Sequence, residues 1–292
     1  MQNLEIKKDN FMYAPSVTLE KLDNLFFELT HENCNLKCKN CYIKRTSFKE
    51  VKDYLKVDKI KSSLIETRKK DIKAIYLTGG EPMMHPDFNT ILRMCLKCAN
   101  TTIMTNGTFI NEKKARFLRK IDDESNFESI FVISMGNWQE KENDEIRGYG
   151  NFRRTMLAIN SLLKYEFNPI IAYVNSNNIS HKEIFNNFRE IFNKIGFDFE
   201  EINLKILPDF TKINIEECIN LEKETKKAKT FDCSNSRIIS SRGVFACPVL
   251  CNDFRSRVGN SIEDFTDKIC LDTEKCAICV KHGKKAFSHE WV

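Results

Sequence analysis

Long apolar runs are missing from this sequence. Nothing in its 292 residues approaches the roughly 18 consecutive apolar side chains a membrane span needs. The N-terminal stretch alternates charged and apolar residues, so the continuous apolar core of a secretory leader is missing too. Charge of one sign is not in excess. Against 46 Lys and Arg stand 41 Asp and Glu, a formal net charge of +5, and the basic residues are scattered. Dedicated nucleic-acid binding is therefore not indicated. Solenoid repeats, low-complexity tracts and long linkers are absent as well. What is present is 41% hydrophobic and 30% charged residues, the composition of a soluble globular chain, expected in the cytoplasm. The length suits one large domain, alone or with a small appendage.

Cysteine is the abundant exception, with twelve residues unevenly spread. In a reducing compartment, clustered cysteines point to metal or cofactor ligands rather than disulfides. Two are set apart. Phe88, Ile91, Leu92, Cys95, Leu96 and Ala99 form a helical apolar stripe, so Cys95 and Cys98 read as core or partly buried thiols despite their C-x-x-C spacing.

From about Leu25 to Leu207, β-rich runs alternate with helical ones. Strands are expected at Leu25–Thr30, Lys73–Thr78, Thr101–Thr105, Ser129–Met135, Pro169–Asn175 and Glu201–Leu207. Helices are expected at Val57–Lys69, Pro86–Ala99, Asn111–Ile121, Phe152–Tyr165 and Ser180–Ile195. That alternation argues for a parallel α/β sheet, with chemistry gathered at the carboxyl ends of its strands. Beyond Asp209 the pattern changes. Residues 211–230 are rich in Lys and Glu and read as a helix or connector. Arg237–Ser240 and Val244–Cys247, joined by Ser241-Arg242-Gly243, read as a β-hairpin inside a small cysteine-rich module.

The first expected strand runs into Cys34-Asn35-Leu36-Lys37-Cys38-Lys39-Asn40-Cys41-Tyr42. Three thiolates on one loop suit an iron–sulfur cluster, with zinc as the alternative. Three ligands leave one cubane iron open, whereas structural zinc takes four. The second strand, Ile75-Tyr76-Leu77-Thr78, ends in Gly79-Gly80-Glu81-Pro82. His85-Pro86-Asp87-Phe88 follows, and the third strand ends in Thr105-Asn106-Gly107. Together, C-x3-C-x2-C, GGEP and these strand ends resemble the radical S-adenosylmethionine (SAM) superfamily over roughly residues 22–210.

The resemblance implies a partial (β/α)6 TIM-like barrel. It implies that Cys34, Cys38 and Cys41 hold a 4Fe–4S cluster whose free iron chelates SAM. Reductive cleavage then yields methionine and a 5′-deoxyadenosyl radical, which takes a substrate hydrogen. Gly79, Gly80, Glu81 and Pro82 would receive the methionine amino group, and Asn106 stands at the next strand end. A flavodoxin- or ferredoxin-type reductant is expected. The residue before the third cysteine, often aromatic in the superfamily, is Asn40 here, so adenine contact falls to its amide, to backbone or to Tyr42. Many relatives carry an Asp close behind Ser134; Met135 and Gly136 stand there in this chain. Ser134 is a candidate ribose contact, and Arg147 and Asp144 are either binding or loop-structural. Strand alternation turns Glu28 toward the barrel interior, as a catalytic candidate with Lys205. Asn175, after the fifth strand, is a further cofactor candidate.

In the tail, Cys233 and Cys247 flank the hairpin and Cys276-x2-Cys279 follows. This resembles the twitch form of the SPASM auxiliary-cluster module and implies a second 4Fe–4S cluster with four protein ligands. A zinc ribbon has the same four thiolates. Cys251 and Cys270 are left over, and Cys251 could replace Cys247. The expected organisation is an N-terminal extension (1–21), a barrel (22–210) and an auxiliary module (211–292).

Relatives divide between oxidisers of small alcohols, sugars or cyclitols and modifiers of ribosomal peptides. Peptide modifiers often carry an N-terminal recognition domain of about 80 residues. With a first strand near Leu25 and one auxiliary cluster, this chain reads as a small-molecule oxidiser, with peptide modification the alternative. Activation of a glycyl-radical enzyme is a weaker reading, and a non-catalytic zinc scaffold would have no use for GGEP.

Overall fold

The computed structural model describes residues 16–31, 33–43, 54–212, 231–251, 253–271, 274–282 and 287. The connector expected at 211–230 lies outside them apart from its first two residues.

Strands β1 (Ser16–Thr18), β2 (Asn24–Thr30), β3 (Ala74–Gly79), β4 (Asn100–Thr105), β5 (Ser129–Met135), β6 (Ile170–Val174) and β7 (Leu204–Leu207) come first in the chain. β2 to β7 lie side by side in sequence order, every pairing parallel. Helices α1 (Val57–Glu66), α2 (Phe88–Cys95), α3 (Glu112–Asp123), α4 (Glu140–Arg147), α5 (Asn151–Lys164) and α6 (His181–Asn193) fill the crossovers. This is an α/β fold of the partial TIM-like barrel kind.

The strand period of two separates two faces. Leu25, Phe27 and Leu29 of β2 join Ile75 and Leu77 of β3 in the core under the helices. Phe26 and Tyr76, opposite each other in register, stack on the other face at 4.2 Å between ring centroids. The helices bury residues at three- and four-residue spacing: Ala115, Leu118 and Ile121 on α3, and Ile184, Phe188 and Phe192 on α6. Each buried Leu, Ile or Phe contributes roughly 1.5–3 kcal/mol. Asn111 and Ser180 cap these two helices by accepting from Lys114 N (2.9 Å) and Glu183 N (3.3 Å).

α4 differs from the expectation of a loop. Its sequence, EKENDEIR, has no apolar stripe and buries only Asn143, so periodicity could not find it. Asp144 anchors the turn that follows, accepting from Gly150 N (2.5 Å) and Phe152 N (2.8 Å) at the start of α5. Glu201–Asn203 is a 3-10 turn, and β7 begins only at Leu204. Cys95 is buried as expected, but Cys98 is exposed, three residues beyond the end of α2.

The tail continues the same sheet. β8 (Ser236–Ser240) pairs parallel with β2, β9 (Gly243–Phe245) closes the hairpin, and β10 (Arg257–Gly259) pairs antiparallel with β9. β11 (Lys268–Cys270) pairs with β1 in a separate two-stranded sheet, and α7 (Glu274–His282) follows. Among the described residues no helix is long and apolar enough to cross a membrane.

Candidate active site and second thiol pocket

The first cysteine set lies on the loop that leaves β2, and this loop is clasped by backbone. Gly80 N donates to Thr30 O (2.9 Å), Glu81 N to Asn33 O (2.8 Å) and Lys39 N to Ile146 O (2.9 Å) at the end of α4. The clasp explains both glycines. Gly79 has φ +127°, and a Cβ there would sit 2.1 Å from Thr30 O; at Gly80 it would sit 2.4 Å from Asn33 O. Close approach of the cysteine loop demands glycine at both places before any ligand is considered.

Cys34, Cys38 and Cys41 line one cleft at the carboxyl ends of the strands, together with Asn40, Tyr42, Gly79, Gly80, Asn106, Ser134 and Arg147. Leu36 N donates to Cys34 Sγ (3.4 Å), and Asn106 Nδ2 lies 3.8 Å from it. Arg147 ends α4, and its buried Nε has no protein partner. An unmatched cationic N–H beside three thiols is the environment an anionic ligand group would fill.

Several expected site residues are used elsewhere. Glu81 is fully buried and does not line the cleft. Its Oε1 accepts from Thr105 Oγ1 (2.7 Å) and Met83 N (3.0 Å), and its Oε2 from Asn106 N (2.8 Å). Burial pushes this carboxyl up, against those three hydrogen bonds and Arg147. It ties the β3 turn to the end of β4. Pro82 opens the buried 3-10 turn that follows. Asn175 closes the turn before α6, donating to Ile179 O (2.8 Å) and accepting from Ile179 N (3.0 Å). Lys205 faces Ala172 in register but is not among the cleft-lining residues.

Glu28 shares the face of Phe26, as alternation requires, but it sits behind Tyr42 in a small side cavity with Thr78 and Val249. There it bonds His31 Nδ1 (3.0 Å) and accepts from Arg242 Nη2 (3.1 Å). Sequence reasoning passed over His31, Met104, Val132, Ala172, Val174 and Leu207, which also line the cleft. Strand alternation marks the five apolar ones, since each lies on the concave face of its strand. Phe210 and Phe287 reach the cleft from beyond the barrel strands, without a local signal. Tyr42 meets both edge-on, at 6.2 and 5.6 Å.

Cys233, Cys247, Cys276 and Cys279 line a second pocket. They come from the 3-10 turn Asp232–Ser234, the start of the 3-10 turn Pro248–Leu250 beyond β9, and α7. Burial, then neighbouring thiols, pushes Cys233 and Cys279 well above the usual thiol range and Cys247 up to about 12. Of the two left-over cysteines, Cys270 lines this pocket from exposed β11. Cys251 does not: it is buried beside Glu28, Arg242 and Ser240. Among the described residues, no three His, Cys, Asp or Glu side chains are grouped to hold a single metal ion.

The Radical SAM superfamily pattern matches residues 29–195, more than half of the chain. A curated relative from Archaeoglobus fulgidus, described as an uncharacterized protein, is 27% identical over 152 residues, covering 51% of this chain and 34% of its own length. The chain thus spans about a third of that relative. Among solved structures, anSMEcpe with bound AdoMet aligns at TM-score 0.62 and 17% identity, covering 87% of this chain and 78% of its own. The same protein with AdoMet and Cp18Cys peptide aligns at 0.61 and 18%, over 91% and 84%. Streptococcus suis SuiB bound to S-adenosylmethionine aligns at 0.60 and 15%, over 82% and 63%. At such identities these likenesses are of fold. Because the family pattern itself runs from the end of β2 to the end of α6, the chain belongs to the radical SAM superfamily.

Proposed function

We propose that this protein is a radical SAM oxidoreductase of the cytoplasm. In this reading it oxidises a small alcohol, sugar or cyclitol and carries two 4Fe–4S clusters. The observation that carries the reading is the convergence on one cleft of Cys34, Cys38, Cys41, the double-glycine turn and Arg147, whose buried Nε has no partner among the described residues. When bound and reduced, by a flavodoxin- or ferredoxin-type donor, the first cluster and SAM supply a 5′-deoxyadenosyl radical. The chain's own residues bind and shield. The three thiolates hold the cluster. Arg147 receives the SAM carboxylate, while the backbone at Gly79 and Gly80 faces its amino end. Asn40, Tyr42 and Ser134 offer polar contacts to the nucleoside. Met104, Val132, Ala172 and Leu207 wall the cleft with apolar surface, which keeps water from a reactive carbon centre.

The tail thiols fit a closed four-cysteine cluster, the auxiliary cluster of a twitch-type module. Four protein thiolates would leave such a cluster no iron open to substrate, and it would supply an acceptor for the second electron of a two-electron oxidation. A peptide substrate is the second reading, favoured by the likeness to anSMEcpe, which has been solved with Cp18Cys peptide.

Anaerobic reconstitution should give about eight iron atoms. Cys38→Ala should lose about half of them and all reductive cleavage of SAM by dithionite. The Cys276→Ala/Cys279→Ala variant should lose the other half and still cleave SAM. Stoichiometric zinc in place of iron overturns the enzymatic reading. Deuterium carried into 5′-deoxyadenosine from the small-molecule or the peptide fraction of a deuterated cell extract decides the substrate class.

A further inference from the structure

Arg237, on β8, is completely shut off from solvent. A guanidinium keeps its charge even there. Buried charges are normally paired with an opposite charge, because desolvation is expensive. Arg242, in the neighbouring turn, follows that rule with Glu28 at 3.1 Å. Arg237 does not. Its Nη1 donates to Cys233 O (2.9 Å) and Ser236 O (2.8 Å), and its Nη2 to Asp267 O (2.9 Å). The Phe265 ring lies 5.2 Å from its Cζ, and its buried Nε has no partner. All of these neighbours are neutral. The Asp267 side chain favours its charge from beyond ion-pair distance.

Among the described residues no carboxylate forms an ion pair with this cation, which lies behind a thiol pocket and is held by carbonyls alone. We propose that Arg237 is the counter-charge of the second cluster, a fixed cation behind Cys233 that raises the cluster's reduction potential. The inference rests on the reading that Cys233, Cys247, Cys276 and Cys279 hold a four-iron cluster. Such a cluster with four thiolates is anionic and gains a further negative charge when reduced. A buried cation therefore stabilises the reduced form more than the oxidised one. Arg237 touches no substrate; it is a positioning and tuning residue that prepares the cluster to accept an electron.

The test uses the full chain with Cys34→Ala, Cys38→Ala and Cys41→Ala, so that the tail cluster is the sole signal. Its potential is read by anaerobic titration followed by electron paramagnetic resonance. Arg237→Met removes the charge and keeps the length; Arg237→Lys keeps the charge and loses the fork. At a poise where half the parent cluster is reduced, the reduced-to-oxidised ratio should fall about tenfold in Arg237→Met, equivalent to about 59 mV for a one-electron couple. Arg237→Lys should stay within about threefold of the parent. Unfolding supplies a second readout. Without iron, Arg237→Met should cost little stability or even raise it, since an unpaired cation is gone. With iron, the same change should lower stability.

A merely structural tie would lose equal stability in both forms and leave the potential unmoved, and that result overturns the proposal. So does a ratio in Arg237→Lys that falls as far as in Arg237→Met. Should Arg237→Met fail to hold iron, Arg237→Lys decides: full iron near the parent potential upholds the proposal, and lost iron or a fallen potential overturns it. Absence of iron from the triple-alanine parent would defeat the cluster reading itself, and it shows in the metal count before any Arg237 variant is made.

Discussion

The two thiol sets are assembled by opposite routes. Cys34, Cys38 and Cys41 belong to one loop, and the rest of the barrel serves to clasp that loop against the β3 turn and the end of α4. Cys233, Cys247, Cys276 and Cys279 meet only after a 3-10 turn, a hairpin and a helix have packed together. The first set opens on a cleft with room for a cofactor; the second lines a smaller pocket with a buried cation behind Cys233. An open set suits chemistry with a ligand, and a closed set suits storage of an electron. The electrostatic surroundings differ in the same sense. Polar groups near the first set converge on the cleft, whereas Arg237 stands behind the second, out of reach of any substrate.

The contrast breaks most sharply at Gly79. An alanine there must place Cβ 2.1 Å from Thr30 O at φ +127°, and backbone on both sides leaves nowhere to move. Gly79→Ala should cost at least about 3 kcal/mol in denaturant unfolding. It should also strip iron from the first set while the tail keeps its own. Gly196→Ala is the control. Its φ is +75°, but a Cβ there meets nothing within 4 Å, so the cost should be about 1 kcal/mol with full iron. Equal losses at the two positions would show that the clasp does not hold the cysteine loop.

The same contrast explains what could be read before folding. A loop of three closely spaced cysteines followed by GGEP is local, so the likeness to the superfamily was visible, and the strand and helix periods of the barrel were visible for the same reason. α4 was hidden because a helix with one apolar residue, Ile146, has no period to detect. Glu81 was assigned to a ligand because its sequence position resembles a binding motif; only the fold shows three donors, from Thr105, Met83 and Asn106, already occupying its oxygens. The turn that Asn175 makes with Ile179 has no local signal for a similar reason, since it depends on the path the chain takes into α6. The partnership of β8 with β2, and of Arg237 with Cys233, joins segments that no local pattern connects.

The second set is sharpened by comparing Cys247 with Cys251, four residues apart. Cys247 lines the thiol pocket, whereas Cys251 is buried beside Glu28 on the other side of the hairpin end. Cys247→Ala should lose the tail iron. Cys251→Ala should keep all of it and cost about 1–2 kcal/mol from lost packing. Iron loss in both variants would place Cys251 among the ligands.

The smallest effect concerns the clasp of the first set and is read as a dependence on pH in the iron-free chain. Burial raises the Glu81 carboxyl above its ordinary value, with the hydrogen bonds from Asn106, Thr105 and Met83 opposing it. A carboxyl that titrates higher in the folded chain than in the unfolded one holds its proton more tightly when folded. Between the two values the folded state therefore binds more protons, and stability falls as pH rises. The fall starts near the unfolded value of about 4.3 and ends once pH passes the raised folded one. Glu81→Gln has no proton to release. Its own stability is lower throughout, because one amide oxygen cannot accept what two carboxylate oxygens accept. The stability advantage of the parent over Glu81→Gln should therefore shrink as pH rises through that window and then level off. An advantage that grows with pH would mean that the three donors outweigh burial, and that Glu81 clasps the β3 turn as a stabilised anion.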